Sequence, residues 1–356
     1  MSKAENVRIL VVDDSFFMRK VICDILKTDP RITIAGQAGN GEEALQKISE
    51  LRPDVVTLDI VMPKLSGLEV LRQLQQMDYT PTVVIVSAHS REAALTTLDC
   101  LAAGATDFVL KPSGSDAWQL HNTAADLLAK IDTAITVHAR DSSHQTNPTL
   151  GKTAPITQQT TSPEYKAVVI GASTGGPMAL EQILPRLPAT VDCPIVVAQH
   201  MPPAFVTALS ERLNTKCNVS VTVAKNGQPL HPGVVYFCQG GATTRIIDLH
   251  GPVFQVESST ATLTPSIDTL LISASEYYAD SLIAIILTGM GEDGLRGAKA
   301  IRERGGTVIV QDAASSAVFG MGKAVEKAGL ANDVLPLHDI MPWLTPRLPV
   351  RTELSQ

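Results

Sequence analysis

Short apolar, β-branched runs alternating with stretches of helical periodicity constrain this chain most, because the alternation occurs twice. The first set of runs falls at 7–12, 32–35, 55–58, 83–86 and 108–110. Between them apolar residues return every three or four positions, as in Phe17, Val21 and Ile25 beside Met18, Ile22 and Leu26. Strand and helix in strict alternation predict a parallel sheet wound with helices on both faces. We therefore expect a five-stranded, flavodoxin-like α/β domain over residues 5–130, its last helix running from about 118 to 135.

The second set of runs lies at 167–170, 195–198, 219–223, 283–287 and 307–310, with helical stretches at 203–213 and 294–304. Residues 234–256, VVYFCQGGATTRIIDLHGPVFQV, break the rhythm and read as antiparallel hairpin strands with glycine-containing turns. A second doubly wound, mostly parallel α/β domain with a hairpin insertion is expected over 165–350. Residues 131–164 would hold a helix end and a flexible linker. Within them 141–164 is rich in Ser, Thr, Gln and Pro and has too little apolar surface to offset its ordering entropy.

Composition narrows the function classes. A net charge of −7 and an aromatic content of 4% disfavour nucleic acid, and no basic helix-turn-helix pattern supports a DNA-binding output. Cys23, Cys100, Cys193, Cys217 and Cys238 are scattered and form no CxxC pair, so they read as inert thiols in a reducing compartment rather than zinc ligands or disulfides. The N-terminus enters a strand pattern without a signal-peptide core. Runs such as 282–287 are far shorter than the ~20 residues of a membrane span. The expectation is a soluble, cytoplasmic protein without direct membrane insertion.

Loops that follow parallel strands converge at the carboxyl edge of the sheet, where α/β ligand sites form. In the first domain the strand ends carry Asp13 and Asp14, then Asp59, Ser87 and Lys111. Three clustered carboxylates repel one another and invite a hard cation such as Mg²⁺. A carboxylate beside that ion can attack a phosphoryl donor, with Ser87 and Lys111 meeting the phosphoryl oxygens. The alternative for each residue is a solvated loop position.

In the second domain VVIGASTGGPMAL passes from a strand through a glycine-rich turn into a helix, with Ser173 on the turn. That placement exposes a serine beside backbone N–H groups and a positive helix end, the logic of a nucleophile elbow. The string also reads as a degenerate dinucleotide fingerprint, which would want an acidic residue ending the next strand. IVVAQHMPP ends in Gln199 and His200 instead, and imidazole suits a general base. LTGMGEDG brings Asp293 to a third strand-to-helix loop. Nucleophile, base and orienter would then be Ser173, His200 and Asp293. Taken singly, Ser173 could cap a helix, His200 could be a turn residue before Pro202, and Asp293 could be a helix N-cap.

The ordered motifs VVDDS, LDIVMPKLSG, VSA and KP resemble those of response-regulator receivers over about residues 5–130. That resemblance implies Asp59 as phospho-acceptor, Asp13 and Asp14 with Asp59 as metal ligands, Ser87 and Lys111 as phosphate sensors, and Phe108 as the switch aromatic. That receiver, the linker and a second domain bearing GASTGG, QHMP and TGMGEDG, with PSIDTLL and QDAASSAVFGM, make nearly the whole chain similar to the chemotaxis protein-glutamate methylesterases of the CheB family. The implied activity is hydrolysis of γ-glutamyl methyl esters on methyl-accepting chemoreceptors, with deamidation of certain receptor glutamines. The implied phosphoryl donor is the histidine kinase CheA, and the unphosphorylated receiver is expected to block the esterase. Ser173, His200 and Asp293 match the family triad, Thr174 and Met290 its neighbouring positions, with the Met290 N–H as a candidate oxyanion donor. No cofactor is implied for the hydrolysis, and Mg²⁺ only for phosphorylation. The chain departs from the family pattern at Val61, at 239–244 and at Gly322.

Overall fold

A computed structural model describes residues 6–111, 117–143, 165–261 and 263–351. The chain forms two compact units, Met1–Lys152 and Thr153–Gln356. Residues 144–164 of the expected linker, and Pro112 of the KP motif, lie outside the described residues. Among the described residues no helix is long and apolar enough to cross a membrane.

The first unit runs β1 (Val7–Val12), α1 (Phe16–Leu26), β2 (Ile32–Ala38), α2 (Gly41–Leu51), β3 (Val55–Asp59), α3 (Gly67–Leu74), β4 (Thr82–Ser87), α4 (Arg91–Ala102), β5 (Asp107–Leu110) and α5 (Ala117–Ser143). Its sheet has the order β2-β1-β3-β4-β5 with every pairing parallel. β3 and β4 are buried at every position, as strands covered on both faces must be. Polar caps start the helices: Ser15, Asn40, Ser66 and Ser90 each accept a first-turn N–H. Ile9, Val11, Ile22, Leu26, Val84 and Ile131 fill one core, each burial contributing about 1.5–3 kcal/mol.

Of the six apolar positions that mark the periodicity of α1, Ile22 and Leu26 are buried, Met18 and Ile25 pack partly buried against the core, and Phe17 is exposed. Ser15 caps the helix, so Phe16 and Phe17 stand in its exposed first turn, 72% and 71% accessible, while Ile22, Cys23 and Leu26 face the sheet. The last helix also continues past 135 to Ser143, through residues assigned to the linker from sequence.

The second unit runs β6 (Ala167–Ala172), α6 (Gly176–Ile183), β7 (Ile195–Gln199), α7 (Pro203–Asn214), β8 (Ser220–Val223), β9 (Val234–Phe237), β10 (Ala242–Asp248), β11 (Pro252–Ser258), α8 (Ile267–Tyr278), β12 (Leu282–Ile286), α9 (Leu295–Glu303), β13 (Thr307–Gln311), α10 (Met321–Lys327), β14 (Asp333–Leu335) and α11 (Leu337–Leu344). Seven strands form a parallel sheet in the order β14-β13-β12-β6-β7-β9-β8. The antiparallel hairpin is β10–β11 alone, in register from Ala242 opposite Ser258 to Asp248 opposite Pro252.

The expected hairpin region was therefore too wide. VVYF at 234–237 is apolar at every position and inserts between β7 and β8, where both faces need cover. β10 instead alternates buried with more exposed residues, as a strand with one wet face does. Tyr236 and Phe254 join the two sheets edge to face at 5.0 Å.

β6 divides the sheet. β7, β9 and β8 lie to one side of it and β12, β13 and β14 to the other, so the chain reverses its winding between β6 and β12. Such a switch point opens a crevice at the carboxyl ends of the strands. In the first unit the same reversal falls between β1 and β3.

Candidate functional site

Ser173 follows β6 directly and is only 8% exposed. Its N–H donates to the Thr288 carbonyl at 3.0 Å, and its carbonyl accepts from Gly176 N–H at 2.8 Å, closing the turn into α6. Pro177 occupies the first turn of that helix. Gly175, not Ser173, is the N-cap of α6, so the serine side chain is not spent on capping.

The turn is stapled to the next strand by a residue that the sequence argument used only for what it was not. Gln199 ends β7, is 2% exposed, and donates its Nε2 to the carbonyls of Ser173 (2.9 Å) and His200 (3.2 Å). Its Oε1 fills the space beside Gly176, where a Cβ would approach to 2.0 Å. Gly176 is therefore required by close approach of a buried carboxamide.

His200 lies between the other two candidates. Its Nδ1 is 3.1 Å from Ser173 Oγ and its Nε2 is 2.9 Å from Asp293 Oδ2. The carboxylate is acceptor-only, so it selects the Nε2–H tautomer and leaves the Nδ1 lone pair for the serine proton. The His200 and Asp293 side chains are only 7% and 12% exposed. Relative to the familiar Ser-His-Asp template the two ring nitrogens exchange partners.

Asp293 precedes α9, whose N-cap is Gly294. Its carboxylate accepts Ile267 N–H on Oδ2 (2.9 Å) and Asp268 N–H on Oδ1 (2.8 Å). Burial alone would raise this carboxyl, but hydrogen bonds from His200, Asp268 and Ile267 outweigh it and hold Asp293 below the ordinary carboxylate range.

Thr174 is buried, and its carbonyl accepts Thr288 Oγ1 at 2.9 Å. Met290 is 40% exposed. It follows Gly289, whose N–H donates to Val318 and whose carbonyl accepts from Gly320 and Met321. A Cβ on Gly289 would lie 2.7 Å from Ser173 Cβ, which shows how tightly this backbone presses on the serine. Thr288, Gly289 and Gln199 escaped the sequence argument because their roles are backbone contacts, visible only once the strands are ordered.

In the first unit Asp13 and Asp59 are buried and Asp14 is exposed, and the three each place an oxygen within 4.8 Å of the others. Lys111 Nζ donates to Asp59 Oδ2 at 2.7 Å. It also forms an ion pair at 2.9 Å with Asp13 Oδ2, a buried oxygen without a hydrogen bond. Burial pushes the Asp59 carboxyl up against the opposing pull of Lys111. Burial would lower Lys111, but its contacts with Asp59 and Asp13 raise it. Asp13 Oδ2, buried without a hydrogen bond beside the Lys111 ammonium, belongs to an all-oxygen donor set that fits a hard divalent cation.

Ser87 is fully buried and its Oγ is hydrogen-bonded to Thr97 Oγ1 at 2.8 Å, so its hydroxyl is turned toward α4. β3–β4 pairing, with Asp59 opposite Val86, places Ser87 one residue beyond the acceptor's register. Phe108 is buried, and Val61 is 76% exposed beside Asp59. The departure at 239–244 touches the base loop: Gly240 lies against the backbone of 201–203, where a Cβ would come within 2.3 Å of the Met201 carbonyl. Gly322 sits under the Phe319 ring at the start of α10.

Comparison with known proteins divides the chain in the same two parts. The response regulator receiver domain family matches residues 9–123, and the CheB methylesterase family matches residues 168–344. The protein-glutamate methylesterase/protein-glutamine glutaminase of Symbiobacterium thermophilum is 41% identical over 95% of this chain and 96% of its own. The protein of the same name from Thermotoga maritima is 40% identical over 94% of this chain and 96% of its own. Among solved structures, the Thermotoga maritima CheB methylesterase catalytic domain is 41% identical with a TM-score of 0.50, covering 52% of this chain and 99% of that one.

Proposed function

The chain belongs to the CheB methylesterase family, and from that membership we propose that it is a phosphorylation-controlled serine hydrolase acting on methyl-accepting chemoreceptors. It removes methyl groups from glutamyl methyl esters with release of methanol, and deamidates receptor glutamines, giving adaptation in chemotaxis. The continuous hydrogen-bond chain from Ser173 through His200 to Asp293 carries this proposal.

In this mechanism Ser173 Oγ attacks the ester carbonyl carbon while its proton passes to His200 Nδ1. Asp293, already an acceptor for Nε2–H, stabilises the imidazolium that forms. The oxyanion is met by backbone N–H groups of the Thr174 turn and of Met290, at the positive end of α6. Collapse of the tetrahedral intermediate breaks the C–O bond to methoxide, which leaves as methanol with the proton from His200. Water, deprotonated by the same nitrogen, then cleaves the Ser173 acyl ester and frees the glutamate carboxylate. With a glutamine substrate the leaving group is ammonia.

Regulation enters through the first unit. Asp59 takes a phosphoryl group from the phosphohistidine of the kinase CheA, forming an acyl phosphate as the donor N–P bond breaks. Mg²⁺ held by Asp13, Asp14 and Asp59 supplies neutralisation of phosphoryl-oxygen charge when bound. Lys111, already on Asp59, offers a fixed positive charge to the new group, and Ser87 offers a hydroxyl once it turns from Thr97.

Methanol release from methylated receptor membranes tests the proposal. Wild type should release methanol faster with acetyl phosphate, Ser173→Ala should release none, and Asp59→Ala should not respond to the phosphoryl donor. Absence of release from wild type with and without donor would refute it.

A further inference from the structure

Asp268 is buried beside the candidate active site and is bonded through both its side chain and its backbone. It is the second residue of α8, after the N-cap Ser266, whose Oγ accepts Thr269 N–H. Its own N–H and that of Ile267 hold the two oxygens of Asp293 at 2.8 and 2.9 Å. In return its carboxylate crosses to α9. Oδ1 accepts the N–H groups of Gly294 and Gly297 at 2.9 and 2.8 Å, and Oδ2 accepts Arg296 Nε at 2.8 Å.

Two helix N-termini thus exchange carboxylates, each receiving the acidic side chain that the other segment supplies. α9 needs this help, because its N-cap Gly294 has no side chain to offer. The exchange is more than capping of two helices. Gly294 N–H is the amide immediately after Asp293, so Asp268 fixes Asp293 at both ends: the following peptide by its side chain, the carboxylate by its backbone. With both anchored, Asp293 Oδ2 stays 2.9 Å from His200 Nε2.

We infer that Asp268 is a positioning residue for the Asp293–His200 pair, acting through this exchange rather than by touching substrate. The inference rests on the hydrolase mechanism given above. Loss of the Asp268 carboxylate leaves the buried N–H groups of Gly294 and Gly297 without their acceptor and lets the 287–294 loop drift. In Asp268→Asn one carboxamide face must set an N–H against Arg296 Nε or against the two glycine N–H groups.

A serine-directed fluorophosphonate on the full chain tests it, because that probe reads Ser173 activation whatever the natural substrate is. In Asp268→Ala and Asp268→Asn the maximal labelling rate should fall about 100-fold, as expected for a misplacement near 1 Å, with the probe's half-saturating concentration changed by less than about twofold. Arg296→Ala, which keeps both glycine N–H bonds, should label within a few-fold of wild type. Thermal melting establishes that each variant is folded at the assay temperature, and the near-isosteric Asn variant carries the comparison if Ala does not fold. Labelling of folded Asp268→Asn at the wild-type rate, with only a lowered melting temperature, would overturn the positioning role and leave a structural one. If wild type itself is not labelled, the hydrolase mechanism fails and this inference falls with it.

Discussion

Gly289→Ala offers the sharpest test of how rigidly the nucleophile is held. The new Cβ would meet Met321 Sδ at 2.3 Å, Ser173 Cβ at 2.7 Å and Ser173 N at 3.3 Å. The thioether is the end of a flexible side chain and can swing away. Ser173 Cβ has no such freedom and moves only with its backbone, whose N–H is bonded to the Thr288 carbonyl and whose carbonyl accepts from Gln199 and Gly176. Opening the Cβ contact to ordinary van der Waals distance needs a displacement of about 0.7 Å. A shift of that size is enough to carry Ser173 Oγ, now 3.1 Å from His200 Nδ1, out of hydrogen-bond range. A displacement near 1 Å at reacting atoms costs about 100-fold in rate, and overpacking costs about 1–3 kcal/mol of stability. Ester turnover and fluorophosphonate labelling, run well below the melting temperature, should therefore both fall about 100-fold, with a melting temperature lowered by several degrees. Turnover within about threefold of wild type would refute the reasoning, because the new contact would then have been relieved without displacing Ser173.

Three other perturbations have definite expected outcomes. Asp293 has its folded-state carboxyl held below its unfolded value of about 3.9, so the stability it contributes is present above that pH and lost as pH falls through the folded value. Melting temperatures of wild type and Asp293→Asn should converge as pH drops from about 5 toward about 3; a constant gap would contradict this. Burial pushes the thiols of Cys100, Cys193 and Cys238 up to about 12, and that of the half-buried Cys217 to about 11. In the native protein at neutral pH a maleimide should modify Cys217 well before those three. Equal rates by peptide mapping would show that burial is not what governs them. Lys111→Met leaves Asp13 and Asp59 facing each other without their cation, and should destabilise the first unit by about 3–5 kcal/mol. Added Mg²⁺ should recover more melting temperature in that variant than in Asp13→Ala, and equal recovery would remove Asp13 from the proposed ligand set.

How much of this was legible in the sequence depended on where each residue's role resides. Runs buried on both faces, such as 83–86 and 282–286, announce themselves by unbroken apolar character, and chemistry at the strand ends follows from the parallel-sheet rule. The same rule misleads at 234–237: beside glycine-rich turns an apolar run looks like a hairpin arm, and only its interior place between β7 and β8 shows why all four residues are apolar. β14 has three residues, two of them exposed, and so carries no period to read. Helical spacing groups Phe17 with the other apolar residues of α1, but it does not show where a cap begins the helix and so does not show that Phe17 stands in its exposed first turn. Asp268 and Gln199 carry no signal as functional residues for a further reason: the backbone groups that they hold at Gly294, Gly297 and Ser173 are 26 or more positions away, and spacing arguments compare side chains.

The exchange of ring nitrogens at His200 follows from the strand order and is not an independent oddity. Ser173 leaves the central strand β6, His200 leaves the adjacent β7, and Asp293 comes from the loop after β12 on the opposite flank. A base on the strand next to the nucleophile has little distance to cover, so the ring nitrogen nearer its own backbone, Nδ1, meets the serine. The orienter lies across β6, and only the far nitrogen, Nε2, can reach it. An imidazole laid over the nucleophile strand thus spans the switch point, and the chain order Ser, His, Asp is the order in which the strands beneath it are laid down. Loop length explains why Asp293 needs two helix N-termini to hold it. Both flanking strands pair directly with β6, but His200 is the first residue after β7 whereas Asp293 lies seven residues beyond the end of β12, so the precision that strand pairing gives the base must come for the orienter from α8 and Asp268.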